Sequence, residues 1–248
     1  MAAVWWALFT IPFLRDVHQK YSIEKPESFP VLSAAFSAAI LTAKKIFKSK
    51  KILFYILAYF FYIDGVGTVI IMSTVYGATL GLDATNMILA LLMTQLIAFP
   101  CSIWFAALSQ RYGSLKLIRG AVCLYIVICT VGFIMGFGLE KDLFGVETAV
   151  ILFWILACMV GTVQGGIQAI SRSYFCQMIP PENSGEFFGF FDIFGKFATV
   201  LGPLLYALIR GITGSPAYAI LSIIVLFILG LVMLGAGNKY FKETDTIQ

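Results

Sequence analysis

The chain has 248 residues, 60% of them hydrophobic and only 12% charged, with a mean hydropathy of +0.93. The charged share is about half that of soluble proteins, which excludes a soluble globular domain. The formal net charge of +4 is carried by no folded soluble domain, which makes nucleic-acid binding a poor alternative.

The first residues, MAAVWWALFTIPFLRDV, carry no basic leader and no small-residue cleavage site, and do not read as a signal peptide. Val4 to Leu14 is apolar but too short to span a bilayer. Residues 1–17 therefore read either as an interfacial helix or as the end of a truncated helix whose beginning is absent. Residues 18–51 form a basic cytoplasmic loop. Within it, 31–47 (VLSAAFSAAILTAKKIF) reads as an amphipathic surface helix ending in lysines, a pattern that favours anionic lipid heads.

Hydropathy then places six membrane spans near 52–76, 86–108, 117–138, 149–171, 187–209 and 215–236, each of a length that crosses a bilayer as a helix. The expected fold class is an all-α membrane protein with a six-helix transmembrane domain over 52–236 and a cytoplasmic tail over 237–248. Residues 1–51 hold Arg15 and seven lysines against Asp16, Glu24 and Glu27, and a later loop brings Arg111, Lys116 and Arg119. This basic excess puts both termini in the cytoplasm. The loop 172–186, with Arg172 against Glu182 and Glu186, is net acidic and adds only weak support, while an even number of spans agrees with both ends on one side.

Polar residues inside the spans are the candidates for function. Asp64 lies mid-way along the first span, where a carboxylate is costly and faces a protein interior or an aqueous path. It is either a structural acid satisfied by a neighbouring helix or a proton-coupling or solute group. Gly65 and Gly67 permit a bend or close packing; Tyr59, Tyr62 and Thr68 sit about one turn from Asp64. Gln95 and Pro100 mark the second span as a further cavity wall. In the fourth span Gly161, Gln164, Gln168 and Arg172 fall on one helical stripe, suited either to a polar solute or to hydrogen bonds with adjacent helices. Arg172 is an anchoring or gating group. In the fifth span Asp192 and Lys196 are i,i+4 neighbours expected to form an ion pair, Glu186 is a candidate cytoplasmic latch, and Pro203 is expected to kink the helix.

Enzymatic chemistry finds no support. The only histidine, His18, lies outside the spans, and there is no GxSxG, HExxH or P-loop pattern. Cys101, Cys123, Cys129, Cys158 and Cys176 form no CxxC pair and read as small packing residues rather than metal ligands or a disulfide set. Nothing calls for a cofactor.

The arrangement resembles the C-terminal half of a major facilitator superfamily transporter over about residues 52–236. LSQRYGSLK at 108–116 looks like a degraded copy of that superfamily's cytoplasmic loop signature: Arg111, Gly113 and Lys116 are kept, and Gln110 stands where an aspartate is usual. AYFFYIDGVGTVI (58–70), GGIQAISRSYFCQMIP (165–180) and GEFFGFFDIFGKFATVLGPLLY (185–206) are together similar to the vacuole effluxer branch, whose yeast member exports amino acids. WWALFTIPFLRDV at 5–17 resembles the end of the branch's sixth helix. The resemblance implies a secondary transporter, half or truncated, that moves a small polar solute such as an amino acid, with proton coupling. By their polarity and depth in the spans, Asp64, Thr68, Gln95, Gln164, Gln168, Asp192 and Lys196 are the candidates for contact with the solute or the coupling ion, and Arg111, Arg172 and Glu186 the candidates for gating or anchoring. The resemblance also implies a partner: a missing N-terminal half or a second copy, in a bacterial cell membrane. The alternative is a non-transporting assembly subunit, regulator or decayed remnant.

Overall fold

A computed structural model describes residues 31–245, with side chains from residue 40 to residue 241. Residues 1–17 and 18–30, and the expectations attached to them, lie outside the described residues. The chain divides into two compact units, 1–38 and 39–248. Of the first, the opening turns of helix α1 (Val31–Lys48) are described; everything below concerns the second.

Seven further α-helices carry the membrane domain: α2 (Lys50–Thr79), α3 (Ala84–Tyr112), α4 (Ser114–Glu140), α5 (Val146–Met178), α6 (Ser184–Ala198), α7 (Leu201–Thr213) and α8 (Pro216–Ala236). A short α9 (Asn238–Asp245) follows. There is no strand among the described residues. Among the described residues six segments are long and apolar enough to cross a membrane, the fifth being the stretch Pro181–Thr213 that contains α6 and α7. The chain is thus an all-α, multi-pass membrane protein.

The connections between spans are short, and local chemistry sets them. Asp83 caps α3 by accepting the Thr85 N–H at 3.0 Å, an Asx cap for an otherwise orphan donor. A single residue, Gly113, joins α3 to α4 at φ +86, a conformation that a side chain disfavours. Ser215 begins α8, and its hydroxyl donates to Glu140 at 2.7 Å. At the other end of α8, Arg119 from α4 donates to the Leu234 carbonyl at 2.9 Å and to Asn238 at 3.1 Å, so a cation meets the negative end of the helix dipole.

α2 is the centre of the bundle. Half of its most apolar window is buried within the chain, against 11% for α3 and 17% for the fifth span. It packs along α8 and carries α6 on another side; α3 lies along α5, and α4 packs on both α5 and α8. At the end of the bundle bearing the basic loops, aromatics knit α2, α5 and α6 together. Tyr59 stacks on Phe191 with ring centroids 4.0 Å apart, and Phe175 stacks on Phe191 at 4.4 Å. Tyr55 donates to the Ser171 carbonyl at 2.8 Å and Tyr62 to the Ser171 hydroxyl at 2.7 Å. These bonds satisfy phenols that burial would otherwise leave costly.

The fifth span departs from expectation. It is not one kinked helix over 187–209 but two helices, broken between Ala198 and Leu201. Pro203 explains the position. It has no N–H for the carbonyl of Thr199, four residues back, and its ring crowds that carbonyl. The C-terminal end of α6 tightens into i→i+3 bonds, Thr199 N–H to Lys196 O and Val200 N–H to Phe197 O, as helix ends commonly do. Pro100, by contrast, sits within a continuous α3.

Candidate solute and coupling site

Asp64 and the break in the fifth span form one feature. Asp64 is the fifteenth residue of the 30-residue α2 and is fully buried. Its Oδ1 accepts the backbone N–H of Gly202 at 3.0 Å. Gly202 is the second residue of α7, whose first-turn donors have no intrahelical acceptor. A carboxylate from α2 therefore caps the start of a half-helix in another span, where the helix dipole favours negative charge. The other oxygen, Oδ2, is buried without a hydrogen-bond partner among the described residues. No ion pair to Asp64 is formed among the described residues. Thr68 donates to the Asp64 carbonyl at 2.7 Å, and its side chain lies where a Cβ on Gly202 would fall. Only glycine lets α7 approach α2 this closely.

A second feature is a cavity of about 80 Å³ between α2, α3, α4, α5 and α8. Its wall is mostly apolar, with Ile70, Leu91, Ile128, Phe153 and Val160 among the lining residues. The hydroxyls on the wall are committed to carbonyls: Ser73 to Ile70, Tyr76 to Gly132, and Thr94 to Ala90 and Ala157. The amides of Gln95 and Gln164, both on the lining, are the remaining polar side chains there besides the Cys129 thiol. Close packing of α3 on α5 brings the two glutamines to one cavity, because a Cβ on Gly161 would lie 2.9 Å from the Thr94 carbonyl.

A third feature corrects an expectation. Asp192 does not pair with Lys196 on its own helix; it pairs with Arg172 of α5. A guanidinium fork matches a carboxylate better than an ammonium does, and an i,i+4 pair has little strength with which to compete. Lys196 is exposed one turn further on, and Arg172 and Asp192 are themselves about half exposed. Gln168 is also exposed and lies off the cavity, so the stripe on α5 runs from the cavity wall at Gln164 to the ion pair at Arg172 without forming one pocket. Glu186, in the first turn of α6, accepts a hydrogen bond from Thr42 at 2.9 Å and lies 3.7 Å from Lys45. Arg111 ends α3 with its guanidinium 5.5 Å from the Tyr112 ring centroid.

Thus Asp64 and Thr68 meet at the break, Gln95 and Gln164 meet at the cavity, and Arg172 meets Asp192. The Gly202 N–H, Ser171 and the Thr42–Lys45 contact with Glu186 were not singled out from the sequence. The Gly202-Pro203 pair was the available signal for the first of these, since such dipeptides punctuate helices.

Comparison with known proteins agrees with this architecture. The chain is 42% identical over 234 residues to the uncharacterized MFS-type transporter YxiO of Bacillus subtilis, covering 94% of this chain and 51% of that protein. It is 26% identical over 258 residues to autophagy-related protein 22 of Cryptococcus neoformans, covering 95% and 43%. Autophagy-related protein 22 of Saccharomyces cerevisiae is 27% identical over 192 residues, covering 75% and 35%. The chain spans about half the length of the curated relatives it matches, or less. No solved structure matches. The family described as vacuole effluxer Atg22 like matches residues 1–239, and this chain belongs to that family of membrane transporters.

Proposed function

We propose that the chain is the six-helix half of a secondary transporter that exports a small polar solute, with amino acids the first class to test, and that Asp64 couples this movement to protons. The buried carboxylate of Asp64 across the break in the fifth span carries the reading. Ionised, Asp64 holds the positive end of α7 against α2. A proton on Oδ2 removes the charge that makes this bond strong and frees α7, and the fifth span with it, to move relative to α2. The Arg172–Asp192 pair, on the side of the basic loops, opens as α6 moves and closes when it returns. The solute sits against Gln95 and Gln164, with Gln168 and Lys196 facing the path beyond. Arg111 and Glu186 anchor the helix ends.

In such a carrier two six-helix halves rock around a site near the bilayer midplane. The second half is an N-terminal half or a second copy of this chain. Both termini lie in the cytoplasm, and the similarity to the Bacillus protein supports a bacterial cell membrane. The test is reconstitution of the 248-residue chain into proteoliposomes with labelled amino acids and an imposed pH gradient. Saturable, gradient-sensitive flux is expected. A correctly folded chain that stays monomeric and moves nothing, with or without a complementary half, contradicts the proposal and favours a non-transporting membrane subunit.

A further inference from the structure

Helix α1 ends at Lys48, and a single residue, Ser49, separates it from α2, the first segment long and apolar enough to cross a membrane. The C-terminal end of α1 therefore stays beside the start of that span. Its rotation is fixed by contacts with the bundle. Thr42 and Ile46 are buried; Thr42 donates to Glu186, and Lys45 flanks the same carboxylate. The opposite face holds Ile40, Leu41 and Phe47, which are 46%, 57% and 64% exposed, together with exposed Lys44 and Lys48. Lys50 continues the exposed charge into α2. Between Lys44 and Asp64 there are five lysines and no acid, and Glu186 is the partner of one of them, Lys45.

We propose that this outer face of α1 and the Ser49 joint bind anionic phospholipid: Ile40, Leu41 and Phe47 rest on the acyl chains while Lys44, Lys48 and Lys50 hold the headgroup phosphates. Two facts choose this occupant. Apolar and cationic side chains share the same face of the helix, which suits the boundary between acyl chains and headgroups. The charge is of one sign, which selects anionic over zwitterionic headgroups. Because Thr42 and Lys45 hold Glu186 in the first turn of α6, a lipid on the outer face of α1 also steadies α6.

The experiment is native mass spectrometry of the purified full-length chain, equilibrated with equal amounts of phosphatidylglycerol and phosphatidylcholine of matched acyl chains. The wild type is expected to retain phosphatidylglycerol in preference, and raising the ionic strength should erase that preference. K44Q/K48Q/K50Q should lower the preference by about tenfold or more, since each lysine at an anionic surface contributes roughly fivefold. The L41N/F47N variant should lose both lipids alike. The control K116Q, at an exposed lysine in the first turn of α4, should leave the preference unchanged. Equal retention of the two lipids by the wild type overturns the proposal. So does a preference that survives the triple change, or one that the control abolishes equally.

Discussion

Replacing Gly202 by alanine puts one methyl group where the structure has none to spare. The new Cβ would stand 3.0 Å from Asp64 Oδ1 and 2.8 Å from Thr68 Cβ, with Thr68 Oγ1 closer still. Either Thr68 turns away and gives up its 2.7 Å bond to the Asp64 carbonyl, or α7 retreats and stretches the Gly202 N–H bond to Asp64. Losing a buried hydrogen bond to a charged group costs about 1.5–3 kcal/mol, and overpacking adds about 1–3 kcal/mol. Alanine returns about 1 kcal/mol through its higher helix propensity. The net expectation is a destabilisation of roughly 1.5–5 kcal/mol, combining the same terms. Denaturation of the purified protein in detergent, followed by loss of helical signal, measures it. Gly189, which lies in α6 with open space around its Cβ direction, supplies the control: Gly189→Ala should be neutral or stabilising by up to about 1 kcal/mol. If Gly202→Ala unfolds at the wild-type midpoint, the close approach of α7 to α2 is wrong, and with it the cap.

Other changes have separate expectations. Ser171→Ala removes the acceptor of the Tyr62 hydroxyl and should destabilise by roughly 1–3 kcal/mol, whereas Tyr55, bound to the Ser171 carbonyl, keeps its partner; denaturation midpoints decide. Exchanging the charges of the half-exposed pair, R172D/D192R, should shift stability by less than about 1 kcal/mol, yet each single reversal should depress flux and the exchange should recover part of it in a transport assay. Gln95→Leu and Gln164→Leu should each weaken solute binding, read as a raised KM for flux, with little change in the unfolding midpoint. Glu186→Gln should loosen α1 from α6, read as faster proteolysis near Lys44–Lys51 with the bundle helices still protected.

The spans were legible because hydrophobic length and the bilayer impose them, and the six described segments long and apolar enough to cross a membrane match the expected ones, the last beginning one residue later. The break in the fifth was half legible: Pro203 announced a disturbance, but whether a proline bends a helix or splits it depends on what receives the freed backbone groups. Here that receiver is Asp64, 138 positions away. A backbone N–H has no letter in the sequence, so Gly202 could not be named as its partner. Asp192 shows the opposite failure. Its i,i+4 relation to Lys196 is visible in the sequence, while the packing of α6 beside α5 that delivers Arg172 is a tertiary fact. Gln164, Gln168 and Arg172 recur at helical spacing on α5, but a helical face meets different neighbours along its length, and so Gln164 lines a cavity while Gln168 is exposed.

The most direct test of the coupling role is Asp64→Asn in proteoliposomes, with solute flux followed across a range of imposed pH gradients. Asparagine keeps an acceptor for the Gly202 N–H and removes only the charge and the site for a proton, so the fold should hold. Solute exchange without a gradient should persist, and the dependence of net flux on the pH gradient should vanish. Wild-type flux with an unchanged pH dependence in the asparagine variant would show that Asp64 is a helix cap and nothing more.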